Sequence, residues 1–287
     1  MLFGAGLVAT DTDFGTRGEW PSHPELLDWL ARDFADHGWN IKRTLKQMVM
    51  SATYRQASVV TPSALEADPQ NHWLGRAPRL RLQGEFIRDN ALVLAGLLDE
   101  QVGGPSVKPC QPPGIWNEVS LDGGLKYQPD SGAKLYRRSM YTYWKRSAPS
   151  PSLMAFDAPT REKCVIRRQR TNTPLQALVT LNDVQFVEAA RHFAQRLLLE
   201  GGNGLGDRLD FAFGLATGRP ADAVRQETLQ SLYHRQWQAF RDDPERAKAL
   251  LGFGDQPTRA DLNPAELAAW TTVASVILNL DEVLTKE

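Results

Sequence analysis

Between Gly103 and Lys134 the chain meets Pro105, Pro109, Pro112, Pro113 and Pro129 among several glycines. This stretch constrains the fold more than any other. Each proline fixes φ and removes a backbone donor, so no regular helix can run through it. A loop this long inside a compact chain is either functional or disordered. Trp116 and Tyr127 within it favour an ordered, packed loop. The loop separates two regions of helical periodicity, which predicts a mainly α fold. We expect a multi-helix orthogonal assembly, helical over 20–104 and 173–287, with loops and a strand between them over 105–172.

The first helix starts at Ser22-His23-Pro24-Glu25, where Ser22 can cap, Glu25 can reach back and Pro24 suits a first turn. Leu26, Leu27, Leu30, Ala31 and Phe34 fall on one face, and Gly38 is placed to end it. Asn40 can cap a second helix with Ile41, Leu45, Met48, Val49 and Ala52 as a buried stripe, which makes a helical hairpin. A third runs from about Gln83 through Phe86, Ile87, Leu94, Leu97 and Leu98, and stops at Gly103-Gly104. Residues 135–144, Leu-Tyr-Arg-Arg-Ser-Met-Tyr-Thr-Tyr-Trp, alternate with period two and predict a short strand. A second proline-bearing loop spans Pro149 to Pro159. Thr173 then caps a helix with Pro174 in its first turn and Gln176 completing a capping box. Leu175, Leu178, Val179, Phe186, Val187, Phe193, Ala194 and Leu197 are its inward positions. Three more helices are expected, over about 206–217, over about 222–241, and from the Asn263-Pro264-Ala265-Glu266 cap, burying Leu267, Trp270, Val273, Ile277 and Leu278.

An apolar fraction of 42%, with eight Trp and eleven Phe, is ample for a packed core. The formal net charge of -1 argues against a dedicated nucleic-acid binder, which needs a basic excess. Charge is nevertheless uneven. Residues 134–170 hold ten Lys and Arg against Asp157 and Glu162, whereas residues 255–287 hold six acids against Arg259 and Lys286. No run of about 18 apolar residues is present, so no membrane span is expected, and the opening residues lack the basic and apolar regions of a signal peptide. Cys110 and Cys164 are the only cysteines, too few for a disulfide framework or a cysteine zinc site. A bridge between them would require an exported parent. Cys164 lies in an amphipathic stretch where a buried free thiol is ordinary. The five histidines are scattered, and no CxxCH haem-attachment motif occurs, so neither metal nor haem is expected in this segment.

Several motifs, taken in order, are specific. They are His23-Pro24-Glu25-Leu26-Leu27, Tyr136-Arg137-Arg138-Ser139, Phe156-Asp157-Ala158-Pro159, the run Arg167-Arg168-Gln169-Arg170-Thr171-Asn172-Thr173-Pro174-Leu175-Gln176-Ala177-Leu178, and Leu181-Asn182-Asp183. With Ala269-Trp270 and Leu280-Asp281-Glu282 they resemble, over nearly the whole chain, the planctomycete-type C-terminal domain of unknown function that accompanies planctomycete-type cytochrome c domains. The resemblance implies one family domain over 1–287, whose opening is similar to the interior of that domain and is therefore expected to be clipped. It also implies an exported parent in the envelope or extracellular space, and a haem c carried only by an upstream domain. It implies no catalytic residues.

The sharpest site candidate is basic and aromatic. Tyr136, Arg137, Arg138, Tyr141, Tyr143, Trp144, Lys145 and Arg146 could line a groove in which Arg grips carboxylate or sulfate and aromatic faces stack on sugars. Arg167, Arg168, Thr171 and Asn172 precede a helix N-terminus, which also favours an anion. The plainer reading pairs these arginines with Asp89, Asp157, Asp183 and the acidic C-terminal region. Glu118, Asp122 and Asp157 are loop acids with no spacing that singles out a catalytic pair. Cys164 has no neighbouring His to activate it, and no GxSxG or phosphate loop occurs. The reading is an accessory domain that docks onto upstream domains of its parent or onto an anionic polysaccharide. Its rivals are a hydrolase or oxidoreductase site completed by an upstream domain, which requires a deep pocket in the loops, and a pure scaffold, which requires internally paired arginines.

Overall fold

The computed structural model describes residues 2–120, 124 and 126–286, and is mainly α-helical. The chain divides into two compact units, Met1–Arg81 with Thr285–Glu287, and Leu82–Leu284.

The first unit contains α1 (Pro24–Asp36), α2 (Ile41–Met50), α3 (Pro62–Ala67) and a small antiparallel sheet in which β1 (Leu80–Arg81) pairs with β2 (Thr285–Lys286), Leu80 opposite Lys286. Its helical hairpin forms as the sequence predicts, with Asn40 Oδ1 accepting from the Arg43 N–H at 3.0 Å. Ser22 does not cap α1. His23 holds that position, and the Ser22 hydroxyl bonds instead to His23 Nδ1 and the Leu7 carbonyl. The hairpin is fastened by a forked ion pair from Arg43 to both oxygens of Asp33. That pairing holds the Asp33 carboxyl below the usual carboxylate range, chiefly through the hydrogen bond from Arg43. The expected buried stripes of α1 and α2 are not formed, because no residue of either helix is buried and Leu26, Ile41 and Leu45 are exposed. Polar and aromatic contacts, such as Lys286 Nζ 3.8 Å from the Tyr54 ring centroid, hold this unit together.

The second unit has a large hydrophobic core. It comprises α4 (Gly84–Ala95), α5 (Ile115–Glu118), α6 (Pro151–Ala155), α7 (Pro174–Asn182), α8 (Val184–Glu200), α9 (Leu205–Thr217), α10 (Ala223–Asp242), α11 (Pro244–Leu251), α12 (Pro264–Leu278) and α13 (Asp281–Leu284). The centre is the pairing of α8 with α12. Ala189, Ala190 and Ala194 of one helix and Ala268, Ala269 and Ala274 of the other are buried, and small side chains let helix axes approach closely. Phe193, Leu197, Trp270, Val273 and Ile277 fill the remaining space, with Tyr233 of α10 tilted against Trp270 at 5.0 Å.

Four expectations are corrected here. The third helix ends at Gly96, in the left-handed conformation, rather than at Gly103. The loops contain two short helices, α5 and α6, and α11 follows α10 because Asp243 caps a new start at Pro244. The helix expected to run on from Thr173 is interrupted at Asp183, whose extended backbone and side chain cap α8. Neither the Thr173 side chain nor a Gln176 capping box contributes. Finally, 135–144 is not a strand. It forms 3-10 turns at Gly132–Tyr136 and Ser139–Tyr141, with isolated bridges from Asp99 to Arg137 and Val107 to Thr142. The reason is a side chain. Buried Arg88 donates to the carbonyls of Leu135 and Arg137 and to Ser139 Oγ, taking acceptors that a partner strand would use.

On α7 Val179 packs against the core as expected, but the rest of the inward face differs from the one expected. Leu175 and Leu178 are exposed, while Gln176 and Thr180 are fully buried. The polar pair goes inward because it has partners there. Gln176 Nε2 donates to the Ala155 and Thr171 carbonyls, and Thr180 Oγ1 donates to Asn279 Oδ1 at 2.6 Å.

Two glycine substitutions test this packing in opposite directions. Gly254 has φ +98, and a Cβ there would fall 2.2 Å from Glu188 Cδ. Gly254→Ala should therefore lower unfolding free energy by about 2–3 kcal/mol, from clash plus backbone strain. Gly214, inside α9, has open space around it. Gly214→Ala should raise stability by roughly 0.5–1 kcal/mol. Urea denaturation of both variants checks the pair, and equal small effects would contradict it.

Candidate binding site

Polar side chains recur every third residue on the buried face of α8. Gln185 Oε1 accepts from Arg88 Nε at 2.7 Å, and its Nε2 donates to the Cys110 carbonyl. Glu188 Oε1 accepts from the Tyr136 hydroxyl at 2.9 Å and from the backbone N–H groups of Asp255 and Gln256, both at 2.8 Å. Arg191 donates to the Gln256 carbonyl and to Thr258 Oγ1. These contacts attach two loops to one helix, and burial raises the Tyr136 phenol well above its ordinary range, reinforced by Glu188. His192, on the same helix, is pushed down to about 4, mainly by burial and secondarily by Arg191. It is neutral at pH 7.

A cavity of about 10 Å³ lies among Arg88, Cys110, Tyr136, Gln185 and Glu188, room for about one water molecule. Burial raises the Cys110 thiol above its ordinary pKa, the opposite of nucleophile activation. Both cysteines are free, and Cys164 is exposed rather than buried. Of the loop acids, Glu118 is exposed on α5, Asp157 is committed to Thr171, and Asp122 lies outside the described residues.

The sequence candidates are distributed as follows. Tyr136 is buried on Glu188. Arg137 is 4% exposed, and its guanidinium donates to the carbonyls of Gln101, Gly103 and Pro105 while stacking 4.1 Å from the Tyr141 ring centroid. The Tyr141 hydroxyl accepts from the Gly103 N–H. Arg137 and Tyr141 thus staple the 99–105 segment. Trp144 donates its indole N–H to the Thr160 carbonyl and carries Arg161 over its ring at 4.5 Å. Arg168 pairs with Glu85 at 2.7 Å, and Thr171 binds Asp157 through backbone and hydroxyl. Arg138 is half-buried, while Arg146, Arg167 and Asn172 are exposed. Lys145 and Tyr143 join a compact cluster, with Lys145 Nζ 4.8 Å and the Tyr143 ring 5.8 Å from the Trp116 ring centroid.

That cluster includes residues that sequence reasoning assigned to packing or passed over. Lys108 Nζ lies 5.7 Å from the Trp116 centroid and 5.6 Å from that of Tyr143. Trp116 contacts Tyr127 edge-on at 5.1 Å and Tyr143 at 5.8 Å. Backbone pairing assembles it. Val107 N–H donates to the Tyr141 carbonyl, Tyr143 N–H donates to the Val107 carbonyl, and Lys108 and Asp130 close the neck of the loop with bonds in both directions. The sequence signal was the aromatic pair Trp116 and Tyr127 inside the proline-rich loop.

The chain belongs to the PSD1 family, proteins of unknown function (DUF1553), whose model matches residues 1–233. No curated protein and no solved structure gives a match.

Arg137→Ala should destabilise the fold by about 2–3 kcal/mol, the order expected when a buried, charged donor to several carbonyls is lost. Arg137→Lys should recover only part of this, since an ammonium cannot reproduce the fork. Urea denaturation with limited proteolysis should show new cleavage within 99–107. Wild-type stability in the Ala variant would contradict the staple.

Proposed function

We propose that this domain is an accessory, non-catalytic docking module of a larger exported protein, and that it seats against an accompanying domain through α7 and the basic loop before it. The observation that carries this reading is the outward leucine face of α7. Leu175, Leu178 and Leu181 are 57%, 55% and 39% exposed at helical spacing, while the opposite polar face is buried. A helix that turns glutamine and threonine inward and leucine outward is arranged for a partner rather than for water. Val165 and Ile166 are exposed in the preceding loop, with Lys163, Arg167 and Arg170 around them. The partner surface that fits is apolar with an acidic rim. The motif resemblance supports a parent that carries a haem c in an upstream domain and works in the envelope or extracellular space. In this reading the chain needs no cofactor of its own.

Titration of this chain with the separately produced haem-bearing upstream domain, followed by calorimetry, tests the reading. Leu175→Asp/Leu178→Asp and Arg167→Glu/Arg170→Glu should each weaken association about tenfold or more, as expected when a few central contacts dominate an interface. Because these side chains are exposed, melting temperatures should stay near wild type. Association that is unchanged in both variants, or absent in the wild type, would sink the proposal.

A further inference from the structure

We infer that Lys108, Trp116, Tyr143 and Lys145 form a subsite for an anionic sugar residue, independent of the docking face on α7. Two ammonium groups lie within cation-π range of one indole, Lys145 at 4.8 Å and Lys108 at 5.7 Å from its centroid. An aromatic face attracts each cation modestly, by about 0.5–1 kcal/mol at exposed sites, but the two like charges repel. Among the described residues no carboxylate lies within ion-pair distance of either Nζ. Asp130, which closes the neck of this loop, accepts from the Lys108 backbone N–H at 2.7 Å through its carboxylate. The site is therefore a concentration of positive charge whose counter-charge is not supplied from the described chain.

A second observation is independent of charge. Trp116 is only 8% exposed, and its indole N–H is buried without an acceptor. An orphaned buried donor costs about 1–3 kcal/mol, and a ligand oxygen would satisfy it once the neighbouring side chains shift to admit it. Tyr143, 43% exposed beside Trp116, is the more accessible ring of the pair. A sugar ring stacks on this ring, while its sulfate or carboxylate is held between the two ammonium groups. An inorganic anion would meet the charge and leave the tyrosine face unused. Glutamate side chains, being flexible and acyclic, would gain little from that face.

The experiment is calorimetric titration of the whole chain with a sulfated tetrasaccharide, a uronic-acid tetrasaccharide, the neutral tetrasaccharide, inorganic sulfate and tetra-glutamate, at two salt concentrations. The subsite predicts binding of one or both charged sugars that weakens with salt, with the two charged arms deciding between sulfate and carboxylate. Lys108→Gln and Lys145→Gln should each weaken it about fivefold or more. Trp116→Phe, which keeps a ring and loses the N–H, should weaken it about threefold. If a glutamine variant melts at lower temperature, Lys145→Arg serves in its place and should retain binding. Equal binding of the neutral sugar, of sulfate alone or of tetra-glutamate overturns the inference, as does charged-sugar binding that the glutamine and Trp116→Phe substitutions leave unchanged, or no binding at all.

Discussion

Glu188 is buried within the second unit, and its carboxylate ties two separate loops to α8. One oxygen takes the Tyr136 hydroxyl and two successive backbone N–H groups, from Asp255 and Gln256, while Arg191 lies 3.6 Å away. A buried carboxylate without partners would be too costly to keep ionised. The loop after α11 must therefore close on α8, and it can do so only because Gly254 has no side chain to strike the carboxylate. One turn earlier on α8, Gln185 engages Arg88, whose remaining donors take the carbonyls of 135 and 137. Breaking either partnership leaves charge uncompensated in the core. The apolar α8–α12 pairing supplies the burial, and the polar face of α8 decides where the loops go.

This division explains what the sequence disclosed. Helices whose ends carry local signals were legible. Asn40 and Asn263 cap as expected, and the elements from α8 to α10 and α12 end where glycine, asparagine or aspartate chemistry places them. Burial on α12 followed the apolar pattern, because that helix packs on several sides. α7 did not follow it. Its leucines predicted an inward face, but Gln176 and Thr180 had specific acceptors on Ala155, Thr171 and Asn279. Such acceptors are set by tertiary contacts that periodicity does not encode. The same holds for 135–144, where alternation suggested a strand and a guanidinium from α4 claimed the carbonyls.

The candidate site was partly legible for related reasons. A basic, aromatic composition near 136–146 pointed to the right neighbourhood, yet Arg137 is consumed as a loop staple and Trp144 bonds to Thr160. What remains comes from three separated segments, with Lys108 and Trp116 in the proline-rich loop and Tyr143 and Lys145 beyond it. Backbone pairing of Val107 with Tyr141 and Tyr143, and the Lys108–Asp130 bonds at the neck of the loop, bring them together. Long-range pairing of this kind leaves almost no mark on local sequence.

Native-state hydrogen exchange on the amides of Asp255 and Gln256 tests most directly whether Glu188 organises this unit. Both lie outside any helix, and among the described residues the carboxylate of α8 is the acceptor of each. The account predicts protection close to that of the α8 amides, since opening the loop must expose the buried charge. Exchange at the rate of an exposed loop would contradict it, and would leave the apolar α8–α12 pairing as the sole organiser of the unit.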